Sequence, residues 1–439
     1  MTTRTLAFAF SLAAPIAIAQ ELPLTLQEAV ERAQAQAPRL LQLSALRDAA
    51  DAATRGARAG RMPLLDLQAG YTRNSDVPEL EIVTPGAPPT RLTVFPNIPN
   101  QYRTHAGLSL PLYTGGRIGG GIDVARAQAS AAAGDLDAAR HDLTLETRTA
   151  YWSLVAARES ERVLSEAVVA YEAHLRDARN RATYGLAARN EVLFVQVERD
   201  RAELARIQAR NVSAIANANL QRLLGLEPSA RVVPTEPRTV PEATEPIPDT
   251  NALVEKALAA RPEIAALRAR IDAAAAATRV ARSSRLPQLS LQAGYDYARP
   301  NSRILPLSPE WKGTWNAGAA VVWNAFDGGR ADASAAQATA QHQALLRALD
   351  DLSQRIRLDV TSRTLDLATA RSSVTVAERN LEAARENLRV SQDRYREGVS
   401  LSSDLLDAET ALQRAGLDET SATVSLRLAL ANLERAIAR

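Results

Sequence analysis

Several groups of residues in this chain have types and spacings that could do chemistry. The glycine cluster GGRIGGG at 115–121 suggests a phosphate-binding loop. It fits neither the lysine-containing phosphate loop nor the dinucleotide glycine fingerprint, and a related segment at 328–330 keeps only GGR. Gly115 and Gly116, like Gly328 and Gly329, are better read as tight strand-to-helix turns. The histidines at 105, 141, 174 and 342 are scattered without metal-ligand spacing, and no residue resembles a nucleophile with its base. The absence of cysteine excludes a thiolate nucleophile, a cysteine-ligated metal and a disulfide framework. The expectation is therefore a non-enzyme without metal or cofactor. More specific are two turn segments, RATYGLAARNEVLFVQV (181–197) and RYREGVSLSSDLLDAET (394–410). Gly185 and Gly398 can take the positive φ that ends a helix. Asn190, Ser402 and Ser403 are candidate caps for the next helices, and Glu191 and Asp404 suit their first turns.

The elements that carry these turns are written twice. RMPLLDLQAGY (61–71) recurs as RLPQLSLQAGY (285–295), identical at eight of eleven positions. AATRGAR (52–58) answers AATRVAR (276–282), Pro38 pairs with Pro262, and YTGGR (113–117) answers FDGGR (326–330). Each half reads helix, strand, loop, strand, very long helix, short turn, helix. Residues 331–397 contain neither Gly nor Pro. In that stretch Leu367, Ala370, Val374, Ala377, Leu381, Ala384 and Leu388 step alternately by three and four. Leu164, Val168, Tyr171, Leu175, Ala178 and Ala182 do the same in the first half. Such a helix is roughly 100 Å long. The helices expected at about 26–59 and 189–225 together match the first long helix in length, and those at about 249–283 and 402–438 match the second. One long helix beside two shorter coaxial ones would make a continuous coiled-coil shaft. Between the halves lies a segment with six prolines, 227–248, expected to be an extended connector. The organisation is thus a signal at 1–19, a first repeat at 20–226, the connector, and a second repeat at 249–439.

The strands alternate in character. Leu65, Leu67, Ala69 and Tyr71 share one face, with Leu64, Asp66, Gln68 and Gly70 on the other. The copy sets Leu289, Leu291, Ala293 and Tyr295 against Gln288, Ser290, Gln292 and Gly294. The second strands carry Ala106, Leu108, Leu110 and Leu112, and Trp315, Ala317, Ala319, Val321 and Trp323. Strands of about 9–11 residues with one apolar face are the signature of an outer-membrane β-barrel. Four cannot close one, and an open edge in lipid leaves unpaired backbone groups costing several kcal/mol each. The chain is therefore expected to oligomerise, with 77–100 and 299–309 as extracellular tips.

Bulk properties agree. Formal net charge is +2, which gives no electrostatic case for nucleic acid, and aromatic content is 4%. Arg4, an apolar run from Leu6 to Ala19 and the small-x-small pattern Ala17-Ile18-Ala19 predict a signal peptide cleaved after Ala19. That run is too short to span a bilayer.

The duplicated LQAGY strands, the strand-GGR-helix turns, YREGVSLSSDLLDAE and LQRLLGLEP (220–228) resemble the TolC family of outer-membrane efflux and secretion channels. The resemblance implies a mainly helical fold with membrane β-structure. Long helical hairpins would form a periplasmic α-barrel, and each subunit of a homotrimer would give four strands to a shared barrel in outer-membrane lipid. It also implies a passive conduit served by an inner-membrane transporter and a periplasmic adaptor, docked at the turns. Aligned on the turn glycine, the family's aperture acids fall on Asp404 and Asp407, its latch tyrosine on Tyr395 and the opposing acid on Glu191. The latch arginine falls on Ser400, leaving Arg189 or Arg394 as substitutes. Asp404 and Asp407 are i,i+3 and share a helix face, so a threefold axis would turn each into a ring of carboxylates that attracts cations. A coiled-coil adhesin or a soluble periplasmic adaptor would explain the helices but not the paired alternating strands. Membrane fractionation distinguishes them.

Overall fold

The computed structural model describes residues 21–86, 88–237 and 248–438. The expected signal peptide lies outside them, as do residues 238–247 of the expected connector. The chain divides into two compact units. The described residues of one fall within Met1–Leu43, Leu136–Ile264 and Leu352–Arg439, and the other comprises Ser44–Asp135 and Ala265–Asp351.

The second unit holds the strands β2 (Leu64–Arg73), β5 (Asn100–Tyr113), β7 (Gln288–Arg299) and β8 (Lys312–Val322), paired antiparallel in the order β2-β5-β7-β8. The register stacks the apolar positions. Leu65 faces Leu108, Tyr71 faces Tyr102, Ala106 faces Tyr295 and Tyr295 faces Trp315. Most of these side chains stay uncovered, with Leu67 74% and Trp315 75% exposed, while Tyr102 and Ala106 are half-buried. The opposite face is polar, where Arg103 donates to Asp296 at 2.7 Å and His105 Nδ1 lies 3.0 Å from the same carboxylate. Neither outer edge, β2 or β8, has a neighbour among the described residues. The 77–100 segment, expected as a loop, contains a hairpin of β3 (Leu80–Thr84) and β4 (Thr90–Phe95). Its alternating ELEIVT and TRLTVF runs supply the β-branched residues a ribbon needs.

The strand-to-helix turns use glycine for backbone reasons. Gly115 and Gly116 have φ of +61° and +88°, and Gly328 and Gly329 have +68° and +83°. A Cβ on Gly115 would also sit 2.8 Å from Leu286 Cβ and 2.9 Å from the Ser283 carbonyl oxygen. No other residue type fits there without displacement.

The other described elements are helices and one small sheet. Helix α1 (Leu26–Gln36) opens on a capping box in which Thr25 Oγ1 accepts from Glu28 N and Glu28 returns the bond to Thr25 N. It stops at Ala37, which takes an extended ψ of 117° ahead of Pro38, the first residue of α2 (Pro38–Ala59). In the second repeat α5 (Thr250–Ala260) ends at Arg261, before α6 (Pro262–Ser283). Each of these spans was expected as one helix. Proline has no N–H for the helical ladder and disfavours helical geometry in the residue before it, so both repeats break at the same place.

Strands β1 (Glu21–Leu24) and β6 (Arg231–Pro234) pair in parallel. A stretch expected only as extended connector is therefore partly a strand. Tyr151 supports it, donating from its hydroxyl to the Leu24 carbonyl at 3.0 Å and accepting from Glu236 N at 3.1 Å. The surrounding core is Trp152, Leu154, Leu220, Leu224 and Val232. The long helices α3 (Arg117–Thr183) and α7 (Arg330–Arg396) are each followed by a shorter one, α4 (Arg189–Leu224) and α8 (Ser402–Ala436). The α3 seam residues Leu164, Val168, Tyr171, Leu175 and Ala178 are buried. On α7, Leu367, Ala370 and Ala377 are buried, but Val374, Leu381, Ala384 and Leu388 are only half covered by this chain. Among the described residues no helix is long and apolar enough to cross a membrane.

Candidate functional site

The two turns that end α3 and α7 have the same backbone. Gly185 and Gly398 sit at φ +73° and +76°. Leu186 N bonds back to Arg181 O at 2.8 Å and Val399 N to Arg394 O at 2.9 Å, closing each helix in a Schellman arrangement. The expected caps are not used. Helix α4 starts after Ala188 and α8 after Leu401, neither with a side-chain cap, so Asn190, Ser402 and Ser403 already lie inside their helices. The Asp404 carboxylate instead reaches back to Leu401 N at 3.3 Å. It satisfies one of the donors a helix start leaves free and lies favourably in the helix dipole.

Asp404 and Asp407 occupy the exposed face of α8, while Ser402, Leu405 and Glu409 are buried on the other. Glu191, in the first turn of α4, is half-buried, and its charge acts on the Tyr395 phenol. Tyr395 itself is buried. Burial is the main cause that raises its pKa above the ordinary phenol value. Its ring lies edge-on to His174, with centroids 5.4 Å apart. The Arg181 guanidinium covers the ring at 4.2 Å, and its Nη2 donates to the Tyr395 carbonyl at 2.9 Å. Asp177 steadies that arginine, accepting from Nε at 3.2 Å.

Beneath the tyrosine is a cluster that sequence reasoning missed. His174 Nδ1 is 3.0 Å from Glu409 Oε2, and Nε2 is 2.9 Å from Ser402 Oγ. The imidazole is 1% exposed and the carboxylate 5%. A serine, a histidine and a carboxylate are thus within bonding distance after all, in the order of a hydrolytic triad. Ser402 is only 4% exposed, however, so a substrate cannot reach its hydroxyl. The arrangement joins α3 to α8. The available signal was polarity at seam positions, since His174 falls between Tyr171 and Ala178, and Glu409 beside Ala408.

The sequence matches the family model described as "Outer membrane efflux protein" over residues 29–226 and 253–439. The chain belongs to that family. It is 24% identical over 418 residues to outer membrane protein TolC of Vibrio cholerae, covering 94% of this chain and 90% of that protein. Among solved structures, the outer-membrane channel OprN superposes with a TM-score of 0.78 at 23% identity, over 94% of this chain and 89% of that one. VceC of Vibrio cholerae gives 0.77 at 19% identity, over 94% and 95%. These likenesses show the fold. In this efflux-family protein the arginine that engages Tyr395 is Arg181, on the opposite hairpin, rather than Arg189 or Arg394. Ser400 fills the turn position where an arginine was expected, and its hydroxyl is buried without a partner.

Proposed function

We propose that this protein is one subunit of a trimeric outer-membrane duct, through which an inner-membrane transporter exports its cargo by way of a periplasmic adaptor. The observation that carries this reading is the sheet β2-β5-β7-β8. It has four strands, one uncovered apolar face, one polar face, and two edges without neighbours among the described residues. Each unpaired backbone group held in hydrocarbon costs several kcal/mol, so the edges need strands from other copies. The apolar face suits lipid and the polar face an aqueous lumen. Family membership and the long helical hairpins support the same reading. The protein acts as a passive conduit, with Asp404 and Asp407 lining its narrowest part, Glu191 near the rim, and the turns at Gly185 and Gly398 as the docking tip. A cleaved signal delivers it to the outer membrane. Membrane fractionation, native mass measurement and mass spectrometry of the mature N-terminus test this. An integral, heat-modifiable trimer beginning at Gln20 is expected, and a soluble monomer retaining Met1 would overturn it.

A further inference from the structure

We propose that His174 is a proton-sensitive clamp that sets the position of the first two turns of α8, and with them Asp404 and Asp407. The inference rests on the aperture reading above for its consequence but not for its mechanism. One imidazole on α3 grips α8 at Ser402 and at Glu409, on either side of the two exposed acids. The seams of these helices are built mostly from Ala, Leu and Val, whose packing is tolerant of small sliding, with Tyr171 adding a second directional contact to α8 through its hydroxyl, 3.1 Å from Thr410 Oγ1. A buried histidine with both nitrogens engaged is not tolerant, because each bond has a fixed length and direction.

The clamp has two bonding states. With a neutral ring, Nδ1–H donates to the Glu409 carboxylate and Nε2 accepts the Ser402 hydroxyl hydrogen. When Nε2 takes a proton from water, it becomes a donor to Ser402 Oγ, and the contact with Glu409 becomes an ion pair. The Ser402 hydrogen must then turn to another acceptor. Among the described residues the buried Tyr395 hydroxyl has no partner in bonding geometry, and Ser402 is close enough to act on it. Protonation therefore strengthens one bond and satisfies an orphaned group, so the clamp tightens in acid and loosens in base. A cleft bounded by His174, Asp177, Arg181, Gln392, Tyr395 and Glu409 gives the proton a route. Other charges near the ring are Asp177 and Arg181 on α3, Arg396 on α7 and Glu191 on α4, and a second cleft along Glu409 is lined by Arg162 and Glu166 of α3, Glu378 and Arg385 of α7 and Glu419 of α8. Asp177 is paired with Arg181, Arg396 lies 3.7 Å from Asp393, and Glu191 faces Tyr395. That leaves Glu409 as the carboxylate bonded to the ring.

The test places one nitroxide on the purified full-length protein through Ser403→Cys, an exposed position in a chain without native cysteine. Its spectrum is recorded between about pH 5 and about pH 8, the range in which histidines change charge. The label should be immobilised in acid and gain mobility in base, and His174→Gln should abolish that dependence. Should His174→Gln not assemble, Glu409→Gln, which removes the negative partner of the protonated ring, must move the transition to lower pH. A pH-independent spectrum in the parent, or unchanged pH dependence in both variants, overturns the clamp. Block by multivalent cations in planar bilayers is read alongside. A label that responds while cation block does not vary with pH supports the clamp and removes the aperture role of the two acids.

Discussion

Arg181 on α3 donates to the carbonyl of Tyr395 on α7 and lays its guanidinium on that residue's ring. One side chain therefore makes a directional bond and a cation–π contact to the same residue of the other hairpin. Arg181→Ala should loosen the tip by about 1–2 kcal/mol, the scale of one such contact. Arg181→Lys should restore only part of this, since an ammonium lacks the planar fork. Resting conductance in planar bilayers should rise in the order wild type, Lys, Ala.

Tyr395→Phe bears on the same contact from the other side. A latch through the tyrosine hydroxyl would make this change open the channel. Among the described residues the hydroxyl has no partner in bonding geometry, with Ser402 the nearest candidate, and the ring carries the contacts to Arg181 and His174. Tyr395→Phe should leave resting conductance near that of wild type, and Tyr395→Ala should raise it. At acid pH, where Ser402 is expected to turn toward the phenol, the Phe variant should fall behind.

Replacing Asp404 and Asp407 together with Ala should weaken block by multivalent cations and reduce cation selectivity. Both side chains are exposed, so the fold should lose only the bond from Leu401 N to Asp404 and the first-turn dipole interaction of Asp404, roughly 0.3–1 kcal/mol. Unchanged block in the double variant would place the constriction elsewhere.

Alkaline stability follows from the buried phenols. Burial raises the pKa of Tyr151, Tyr171 and Tyr395 in the folded chain. In the unfolded chain these groups ionise near the ordinary value of about 10. Their contribution to stability is full below that value and is lost as pH rises toward their folded pKa values, because the unfolded state gives up its protons first. Phenolate absorbance should show these tyrosines ionising only as the protein unfolds.

Adaptor docking can be mapped with cysteines at Ala188 and Ser403, both exposed beside the turns. Ser402, the first residue of α8, is a poorer position because it is buried and bonded to His174. Cross-links to an adaptor in cells are expected from the turn positions. Cross-links found only near the strands would contradict the placement.

What the sequence disclosed was whatever repeats within a short window. Period-two alternation located β2, β5, β7 and β8, and a glycine- and proline-free run located α7 almost to the residue. Features set by distant partners stayed hidden. His174 and Glu409 are 235 residues apart, and nothing local says that their helices pack in the phase that joins them. The pairing of β1 with β6 is equally remote, and four-residue strands carry too little pattern to announce themselves. The caps failed for a smaller reason. The turn offers several polar residues in a row, and a boundary error of one position exchanges a capping serine for a buried one.

The asymmetry of the tip bears on the chain's origin. Aligned on the turn glycines, His174 corresponds to Asn387, Tyr395 to Ala182, Ser402 to Arg189 and Glu409 to Gln196. A protein made of two first halves would have the imidazole but neither of its partners nor the ring. One made of two second halves would have the ring, the hydroxyl and the carboxylate with no imidazole between them. Each copy holds what the other lacks, so a ring of identical half-length chains of either kind could not build this contact.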